Sequence, residues 1–218
     1  MMMQLYVTDV SPNSRRVLAA IGHLELEGET RIRKFDLMKG EHRTEEFRAL
    51  NPNQKVPVLV DGDLKLWESN PIMIYLCERQ GAGEFCPTDR IGRIEVLRWM
   101  SWEVLHYNKA LGEIVWESVA KAGFGLGAPD QEKIDAALEN YHRFAAVLES
   151  HLESRDFVLG DRLTVADFAV GSHSALAMHP GSQVPLDDYP NIKAWYQRLE
   201  DVPSWSATAP RALAEAAE

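Results

Sequence analysis

Residues 51–80, NPNQKVPVLVDGDLKLWESNPIMIYLCERQ, constrain the fold more than any other stretch. Asn51-Pro52 ends a preceding helix, because proline disfavours α geometry at the residue before it. The apolar run at residues 58–60, the turn signal Asp61-Gly62 and the alternating residues 64–67 predict a β-hairpin. The stretch therefore predicts two paired strands that directly follow the end of a helix.

A second helix is predicted directly after Glu68-Ser69, because Ile72 and Leu76 have helical spacing. Pro71 fits an early helical position, where its missing N–H would have had no partner. The free backbone N–H groups of a helix start, together with the Ser69 hydroxyl, favour a bound anion. The sequence thus predicts an anion site where this helix begins.

The composition is that of a soluble globular protein, since 45% of the 218 residues are hydrophobic. No apolar run reaches the length of a membrane span and no signal peptide is evident, so we expect a cytoplasmic protein without a membrane partner. The formal net charge is −10, and residues 91–218 hold 11 Lys and Arg against 19 Asp and Glu. Because phosphate backbones require a basic face, nucleic acid is not an expected partner.

The cysteines and histidines give no sign of a metal centre. Cys77 and Cys86 are too few for a disulfide framework or a metal cluster. Cys77 lies on an apolar helix face, where packing is its expected role. The seven histidines show no paired ligand spacing on one helix face, so we expect no metal site.

The first 50 residues alternate strand and helix. Residues 4–10 and residues 30–37 predict strands, and an apolar stripe between them predicts a helix. Residues 44–50 predict a further short helix. Together with the hairpin and the helix after it, this order is typical of one α/β domain, which we place at residues 1–80.

Ser11 lies where the first strand turns into the first helix, close to the positive end of the helix dipole. A serine there can be a turn or capping residue without a chemical role, or it can donate to a bound anion. Position alone favours the capping role.

Residues 81–90 are rich in glycine, lack periodicity and predict a linker. After it the pattern predicts helices only, at residues 91–122, 131–154, 165–178 and 191–200. We therefore assign residues 91–218 to an all-α domain. Thr164 and Asp167 have the spacing of a capping box, and the apolar, small-residue helix after them is expected to be buried. The helix at 91–122 is predicted from apolar residues at positions 94, 97, 100, 104 and 105.

These features resemble the cytosolic glutathione transferase family over nearly the whole chain. KVPVL and the ES helix start resemble the thioredoxin-fold domain of that family, and LTVADFAV resembles its buried capping-box helix. SPNSRRV and DLMKGEHRTEEF are most similar to theta-type and bacterial serine enzymes. The resemblance implies an α/β thioredoxin-like N-terminal domain, an all-α helical-bundle C-terminal domain and a homodimer.

The resemblance also implies a glutathione site. Ser11 matches the serine whose hydroxyl bonds the glutathione sulfur, and Asn13 is assigned to the same site. Ser14 and Asn13 remain alternative partners of the sulfur. Glu68 and Ser69 match the pair that holds the γ-glutamyl end, in agreement with the predicted anion site.

Four further residues of that site follow from the resemblance. His42 and Lys55 match contacts to the glycyl end, and Val56 matches the residue whose backbone pairs with the cysteinyl part. Pro57 matches the proline that is cis in this fold, a feature that only about 5–6% of X–Pro bonds have. Asn70-Pro71 departs from the small residue and alanine of many members, which leaves open whether the γ-glutamyl pocket is altered.

The resemblance predicts that glutathione is a co-substrate, with no bound cofactor, and that its thiolate is joined to small hydrophobic electrophiles. Their pocket is expected between the domains, beside the first long helix. The aromatic candidates for this pocket are Trp102, His106, Tyr107 and Trp116. Aromatic residues at helical spacing are also often part of the core.

Other functions remain open. One is a catalytically idle transferase-fold binding or scaffold protein, although the intact glutathione-site residues argue against it. Another is a specialised glutathione-dependent dehalogenase or lyase, which would use the same glutathione site. Glutaredoxin-like disulfide exchange at this site is discounted, because Ser11 and Ser14 stand where redox members of the fold have cysteine.

Overall fold

The computed structural model describes residues 2–81 and 83–210. Its first part contains a four-stranded sheet with the order β2-β1-β3-β4. The strands are β1 (Met3–Val7), β2 (Thr30–Lys34), β3 (Val58–Asp61) and β4 (Leu64–Trp67). β1 runs parallel to β2 and antiparallel to β3, and β3 pairs with β4 as the predicted hairpin. The sheet is mixed, as the thioredoxin-like expectation requires.

Both strands predicted in the first 50 residues are shorter than expected. Leu5 is fully buried and pairs with both neighbouring strands, so β1 is the central core strand. β1 ends at Val7 because the next backbone N–H, that of Thr8, bonds the Ser14 hydroxyl instead of a strand. β2 ends at Lys34, which pairs with Val7, the last residue of β1.

Three helices accompany the sheet: α1 (Pro12–His23), α2 (Glu45–Arg48) and α3 (Ser69–Gln80). α1 makes the crossover from β1 to β2, which two parallel strands require. α3 ends at Gln80 and is capped by Gly81, whose φ of +67° is the left-handed conformation that glycine adopts most easily.

The later part of the chain is helical among the described residues. Its helices are α4 (Arg90–Trp102), α5 (Asn108–Val115), α6 (Lys121–Gly123), α7 (Gln131–Leu152), α8 (Val165–Val170), α9 (Ser174–Ala177), α10 (Pro190–Glu200) and α11 (Pro203–Ser206). The predicted all-α fold is confirmed, and the helix expected at 165–178 is divided into α8 and α9 by a 3-10 turn at Gly171–His173. Within the described ranges, no helix combines the length and the apolar character that a bilayer crossing requires.

Residues 90–123 form one helical run that contains two π-helical segments, Glu103–Tyr107 and Trp116–Ala120. The run presents Val96 and Trp99 to the core. Of the five apolar residues that predicted it, Met100 is buried, but the other four are exposed: Ile94 by 57%, Leu97 by 52%, Val104 by 56% and Leu105 by 64%. Their periodicity predicts the helix correctly, but they form a second apolar face on the protein surface.

One hydrophobic core continues from the sheet into the later helices. α1 belongs to this core and contacts both α3 and the later helices α8 and α11. Its consecutive arginines, Arg15 and Arg16, are only 3% and 2% exposed. Arg15 donates to Glu200 at 2.9 Å and lies over the ring of Trp205 at 4.3 Å. A smaller cluster covers the other face of the sheet and consists of Tyr6, Phe35, Phe47 and Val58.

α8 is buried along its whole length, as predicted, and it carries the predicted capping box. The carboxylate of Asp167 is fully buried and accepts from the backbone N–H groups of Val158 at 2.7 Å and Thr164 at 2.8 Å. The indole N–H of Trp195 donates to the same carboxylate at 3.0 Å. Burial raises the pKa of Asp167 to about 6, against the hydrogen bonds, which lower it.

Asp167→Asn is expected to lower the free energy of unfolding by about 2–5 kcal/mol above the pKa of Asp167, since an amide nitrogen leaves buried donors without an acceptor. Thr164→Ser keeps the capping hydroxyl and is the matched control, with an expected loss below about 1 kcal/mol. Urea unfolding measures both differences. Equal stability of Asp167→Asn and the wild type would contradict this account of α8.

Candidate active site

The register of the sheet collects three chain segments at one edge. β1 leads into Ser11, Pro57 directly precedes β3, and Glu68 directly follows β4. Because β3 pairs antiparallel with both β1 and β4, the end of β1, the start of β3 and the end of β4 lie side by side. Three segments that are far apart in the sequence therefore lie close together in the structure.

Two helix N-termini lie together at this edge. Ser11 is the N-cap of α1, and its Oγ accepts from the backbone N–H of Ser14 at 3.4 Å. The hydroxyl of Ser69, the first residue of α3, donates to Oδ1 of the exposed Asn13 at 3.4 Å. The free N–H groups and positive dipole ends of both helices are thus close to one another.

Ser11 and Ser14 have different surroundings. Ser14 is fully buried, and its Oγ accepts from the backbone N–H of Thr8 at 3.2 Å. Ser11 is half-buried and acts as an acceptor toward Ser14, so its hydroxyl hydrogen remains available to an anion. Ser11 is the better placed donor of the two.

Glu68 has an unusual backbone conformation, with φ +71° and ψ 124°. β4 ends at Trp67 and α3 begins at Ser69, so this single residue turns the chain from strand to helix. Positive φ at a non-glycine residue costs free energy and is found preferentially at ligand sites. The Glu68 side chain is exposed and lines the same cleft as Ser69.

The remaining predicted glutathione contacts lie on two other segments. The Val56–Pro57 peptide bond is cis, as the resemblance implies. Lys55 is exposed just before it, and the Lys55 carbonyl accepts from Nδ2 of Asn51 at 2.7 Å. His42 lies between β2 and α2, and its buried Nδ1 has no hydrogen-bond partner in the described part of the chain.

A cleft of about 800 Å³ opens beside the two helix starts. The wall from the first part of the chain is polar and contains Asn13, Glu68 and Ser69. The facing wall combines four apolar residues, Leu97, Met100, Val104 and Leu105, with polar ones that include Lys109. The cleft can therefore hold a charged ligand next to an apolar one.

A buried ion pair joins α1 to the first π-helical segment. Arg16 Nη1 lies 2.6 Å from Glu103 Oε1, and the two side chains are 2% and 1% exposed. Asn70 accepts from Arg16 at 2.9 Å and donates to Glu103 at 2.8 Å. Asn70, the departure seen in the sequence, thus connects the start of α3 to both partners.

Asn108 and Ser172 complete this polar cluster. Asn108 donates to Glu103 Oε2 at 2.5 Å, and Arg16 donates to the Ser172 hydroxyl at 2.7 Å. Sequence reasoning missed these residues, although two consecutive arginines on an otherwise core-facing helix were a signal of buried charge.

His173 also lines the cleft, and its Nδ1 is 3.0 Å from the Ser172 hydroxyl. Desolvation, with a smaller contribution from the charge of Arg16, lowers the pKa of His173 to about 3. The imidazole is therefore neutral near pH 7. The described residues contain no group of three or more His, Cys, Asp or Glu side chains arranged to hold a metal ion.

Two of the four aromatic candidates for the electrophile pocket are core residues. Tyr107 is fully buried, its hydroxyl lies 2.9 Å from that of Tyr196, and burial raises its pKa well above the usual range. Trp102 stacks on Tyr107 with ring centroids 5.6 Å apart and packs against the core. Neither residue lines this cleft, so the structure places both in the core rather than beside Ser69.

The other two aromatic candidates also lie outside the cleft lining. His106 stacks on Phe144 at 4.7 Å and lines a separate groove between α5 and α7. Trp116 is 43% exposed and packs against Phe124 at 6.0 Å. Spacing along the sequence did not predict the cleft-facing side, because the π-helical segments change the period of the run.

Comparison with known proteins identifies the family. The model "Glutathione S-transferase, N-terminal domain" matches residues 5–84, and "Glutathione S-transferase, C-terminal domain" matches residues 107–203. A probable glutathione S-transferase of Oryza sativa subsp. japonica is 32% identical over 203 residues, covering 93% of each chain. Glutathione S-transferase theta-2 of Mus musculus is 30% identical and covers 91% of this chain and 80% of its own.

A solved structure has the same fold. The theta class glutathione S-transferase from Xanthomonas axonopodis pv. citri, with glutathione bound, aligns with a TM-score of 0.82 and 26% identity, covering 95% of this chain and 96% of its own. Matches to both family models and relatives at 30% identity or more over most of the chain agree with the sheet, the cis-proline and the buried capping-box helix. This chain is therefore an enzyme of the glutathione S-transferase family.

Proposed function

We propose that this enzyme joins the sulfur of glutathione to small hydrophobic electrophiles, with the Ser11 hydroxyl stabilising the thiolate. The observation that carries the proposal is the meeting of the α1 and α3 N-termini, with Ser11, Asn13 and Ser69, beside a cleft whose facing wall carries four apolar side chains. The proposal includes a cytoplasmic, detoxifying role.

The polar residues suggest how glutathione is oriented. The γ-glutamyl carboxylate accepts hydrogen bonds from the backbone N–H and the hydroxyl of Ser69 at the start of α3. The α-ammonium group forms an ion pair with Glu68. The backbone of Val56 pairs with the cysteinyl part, and the glycyl carboxylate lies toward Lys55 and His42. This orientation extends the peptide along the edge formed by β1, β3 and β4, with its thiol near Ser11.

The Ser11 hydroxyl and the helix dipole are sufficient in magnitude for thiol activation. A cysteine thiol has a reference pKa of about 8.5, and lowering it by about two units requires roughly 2.7 kcal/mol. A hydrogen bond to a charged group contributes about 1.5–3 kcal/mol, and a helix N-terminus contributes roughly 0.3–1 kcal/mol. No general base is needed, because the thiol loses its proton to solvent before it attacks.

The apolar side chains of the facing wall support a hydrophobic electrophile. In the reaction the thiolate sulfur forms a bond to an electrophilic carbon, and Ser11 acts only as a donor to the sulfur. Each methylene group of the electrophile that is buried against Leu97, Met100 or Val104 adds about 0.8 kcal/mol to binding.

Ser11→Ala is expected to bind glutathione about as well as the wild type and to lose most of its turnover near pH 7. Without the donor, the pKa of the bound thiol rises toward about 8.5. At saturating glutathione, the midpoint of the pH profile of kcat/KM for the electrophile therefore moves up by about one to two pH units. Steady-state kinetics with a chromogenic aryl halide across pH measure the shift.

The matched control for this experiment is Asp130→Ala. Asp130 caps α7 by accepting from the backbone N–H of Lys133 at 3.4 Å, the same distance as in the Ser11 cap of α1. The variant therefore removes a comparable cap from a different helix. Its pH profile should not move. Unchanged turnover in Ser11→Ala would instead transfer the donor role to Ser14 or Asn13.

Glu68→Gln is expected to weaken glutathione binding about 10- to 100-fold, because the α-ammonium group loses its charged partner. Glu25→Gln is the matched control, since Glu25 is also an exposed glutamate at positive φ, 56° against 71° for Glu68. Isothermal titration calorimetry measures both. Equal glutathione affinities of the two variants would contradict a role of Glu68 in binding. If the wild type does not bind glutathione at millimolar concentration, the result would favour a catalytically idle transferase-fold protein.

We also propose that the enzyme is a homodimer joined through the exposed apolar surface of α4 that lies outside the cleft. That surface contains Ile91 and Ile94, which are 64% and 57% exposed in the single chain and do not line the cleft. Contiguous apolar patches of this kind mark association surfaces in soluble proteins. A second copy of the same chain is the partner that a self-complementary face suits.

Ile94→Glu is expected to shift the protein from dimer to monomer at micromolar concentration, because it puts a charge into an apolar interface. Val147→Glu is the matched control on α7, since Val147 is 50% exposed and Ile94 is 57% exposed. Sedimentation velocity distinguishes the two species. A wild type that sediments as a monomer would contradict the homodimer.

A further inference from the structure

The two cysteines of the chain take no part in the proposed reaction, and they lie together. Cys77 is in the last turn of α3 and 2% exposed, whereas Cys86 is half-buried in the segment between α3 and α4. Both are free thiols that line one cavity of about 450 Å³. Cys86 also packs against the hydrophobic core to which Cys77 belongs, and the interaction between the two thiols is the largest influence on the pKa of each. Two thiols on the wall of one cavity can approach each other and form a disulfide when their Cβ atoms come within bonding geometry.

The surroundings of the two thiols are unequal. The hydrogen bond to Cys86, followed by burial, raises the pKa of Cys77 far above its ordinary value. The hydrogen bond from Cys77 lowers the pKa of Cys86, with help from the Arg93 guanidinium and against burial and Glu78. Cys86 is therefore the attacking thiolate, and Cys77 is its donor.

We propose that Cys77 and Cys86 form a redox-active pair that glutathione disulfide oxidises to an intramolecular disulfide. The Cys86 thiolate attacks one sulfur of glutathione disulfide, forms a mixed disulfide and releases one glutathione thiolate, which takes up a proton. Cys77 then loses its proton to solvent and attacks the Cys86 sulfur, which releases the second glutathione. Overall, two protein thiols are oxidised, one disulfide is reduced, and two glutathione molecules leave.

The cavity has room for this exchange, and the new disulfide would add a link between two parts of the fold. The cavity is lined by Gly81, Pro87 and Thr88 of the joining segment as well as by both cysteines. The new bond would tie that segment to α3, at the opposite end of a 12-residue helix from Ser69. The pair is thus separate from the proposed glutathione site and does not depend on its activity.

The wild-type protein permits a direct test, because Arg79 stands between the two cysteines in the sequence. Trypsin cleaves after it and so puts Cys77 and Cys86 on different peptides. The folded protein is incubated with excess glutathione disulfide, remaining thiols are alkylated, and the protein is digested without reductant. We expect mass spectrometry to find peptide 66–79 linked to peptide 80–90, with both alkylatable thiols lost. Dithiothreitol should restore both.

Single variants assign the order of attack. Cys77→Ser keeps the attacking thiol but cannot resolve the intermediate, so we expect a lasting glutathione adduct on Cys86. Cys86→Ser keeps only the buried thiol, and we expect Cys77 to remain unmodified. The linked peptides from the wild type test the pair even if a variant folds poorly.

Two results would overturn the proposal. One is alkylation of both thiols in the wild type after exposure to glutathione disulfide. The other is a lasting glutathione adduct on Cys86 of the wild type with Cys77 still free. Neither result depends on Glu68, so Glu68→Gln should form the same linked peptides even if its glutathione site is lost.

Discussion

The buried ion pair between Arg16 and Glu103 connects the two walls of the cleft. Removing each charge from water costs several kcal/mol, and further hydrogen bonds to both groups offset part of that cost. Glu103 accepts from Asn70 and Asn108 as well, and Arg16 also donates to Ser172. Loss of either charge would leave the other buried and unpaired, so the relative position of α1 and the helical run at 90–123 depends on both.

The same pair affects the chemistry through Asn70, the residue next to Ser69. The sheet register positions the start of α3 from one side, and the contacts of Asn70 to Arg16 and Glu103 position it from the other. The proposed anion site at this helix start therefore depends on both parts of the chain. The apolar side chains of the facing wall come from the same helical run that holds Glu103, so both ligands would be placed by one rigid arrangement.

Features encoded by local sequence could be predicted, and those set by long-range contacts could not. The hairpin after Pro57 and the capping box at Thr164 and Asp167 follow from a few neighbouring residues, and both are present. Arg16 and Glu103 are 87 positions apart, and a charged residue on a helix is ordinarily solvated. The cleft-facing side of the run at 90–123 depends on the π-helical segments, which no short-range pattern indicates. The resemblance already named Ser11 as the partner of the sulfur, and the structure adds that the Ser14 hydroxyl is buried and accepts from the backbone N–H of Thr8.

The most direct test of the account is the pKa of the glutathione thiol when it is bound to the wild-type enzyme. The ultraviolet absorption of the thiolate, followed by pH titration of the binary complex, measures it. Two helix N-termini and the Ser11 hydroxyl predict a pKa about two units below the reference value of about 8.5. A bound thiol that titrates like free glutathione would contradict the central claim that this edge of the sheet stabilises the thiolate.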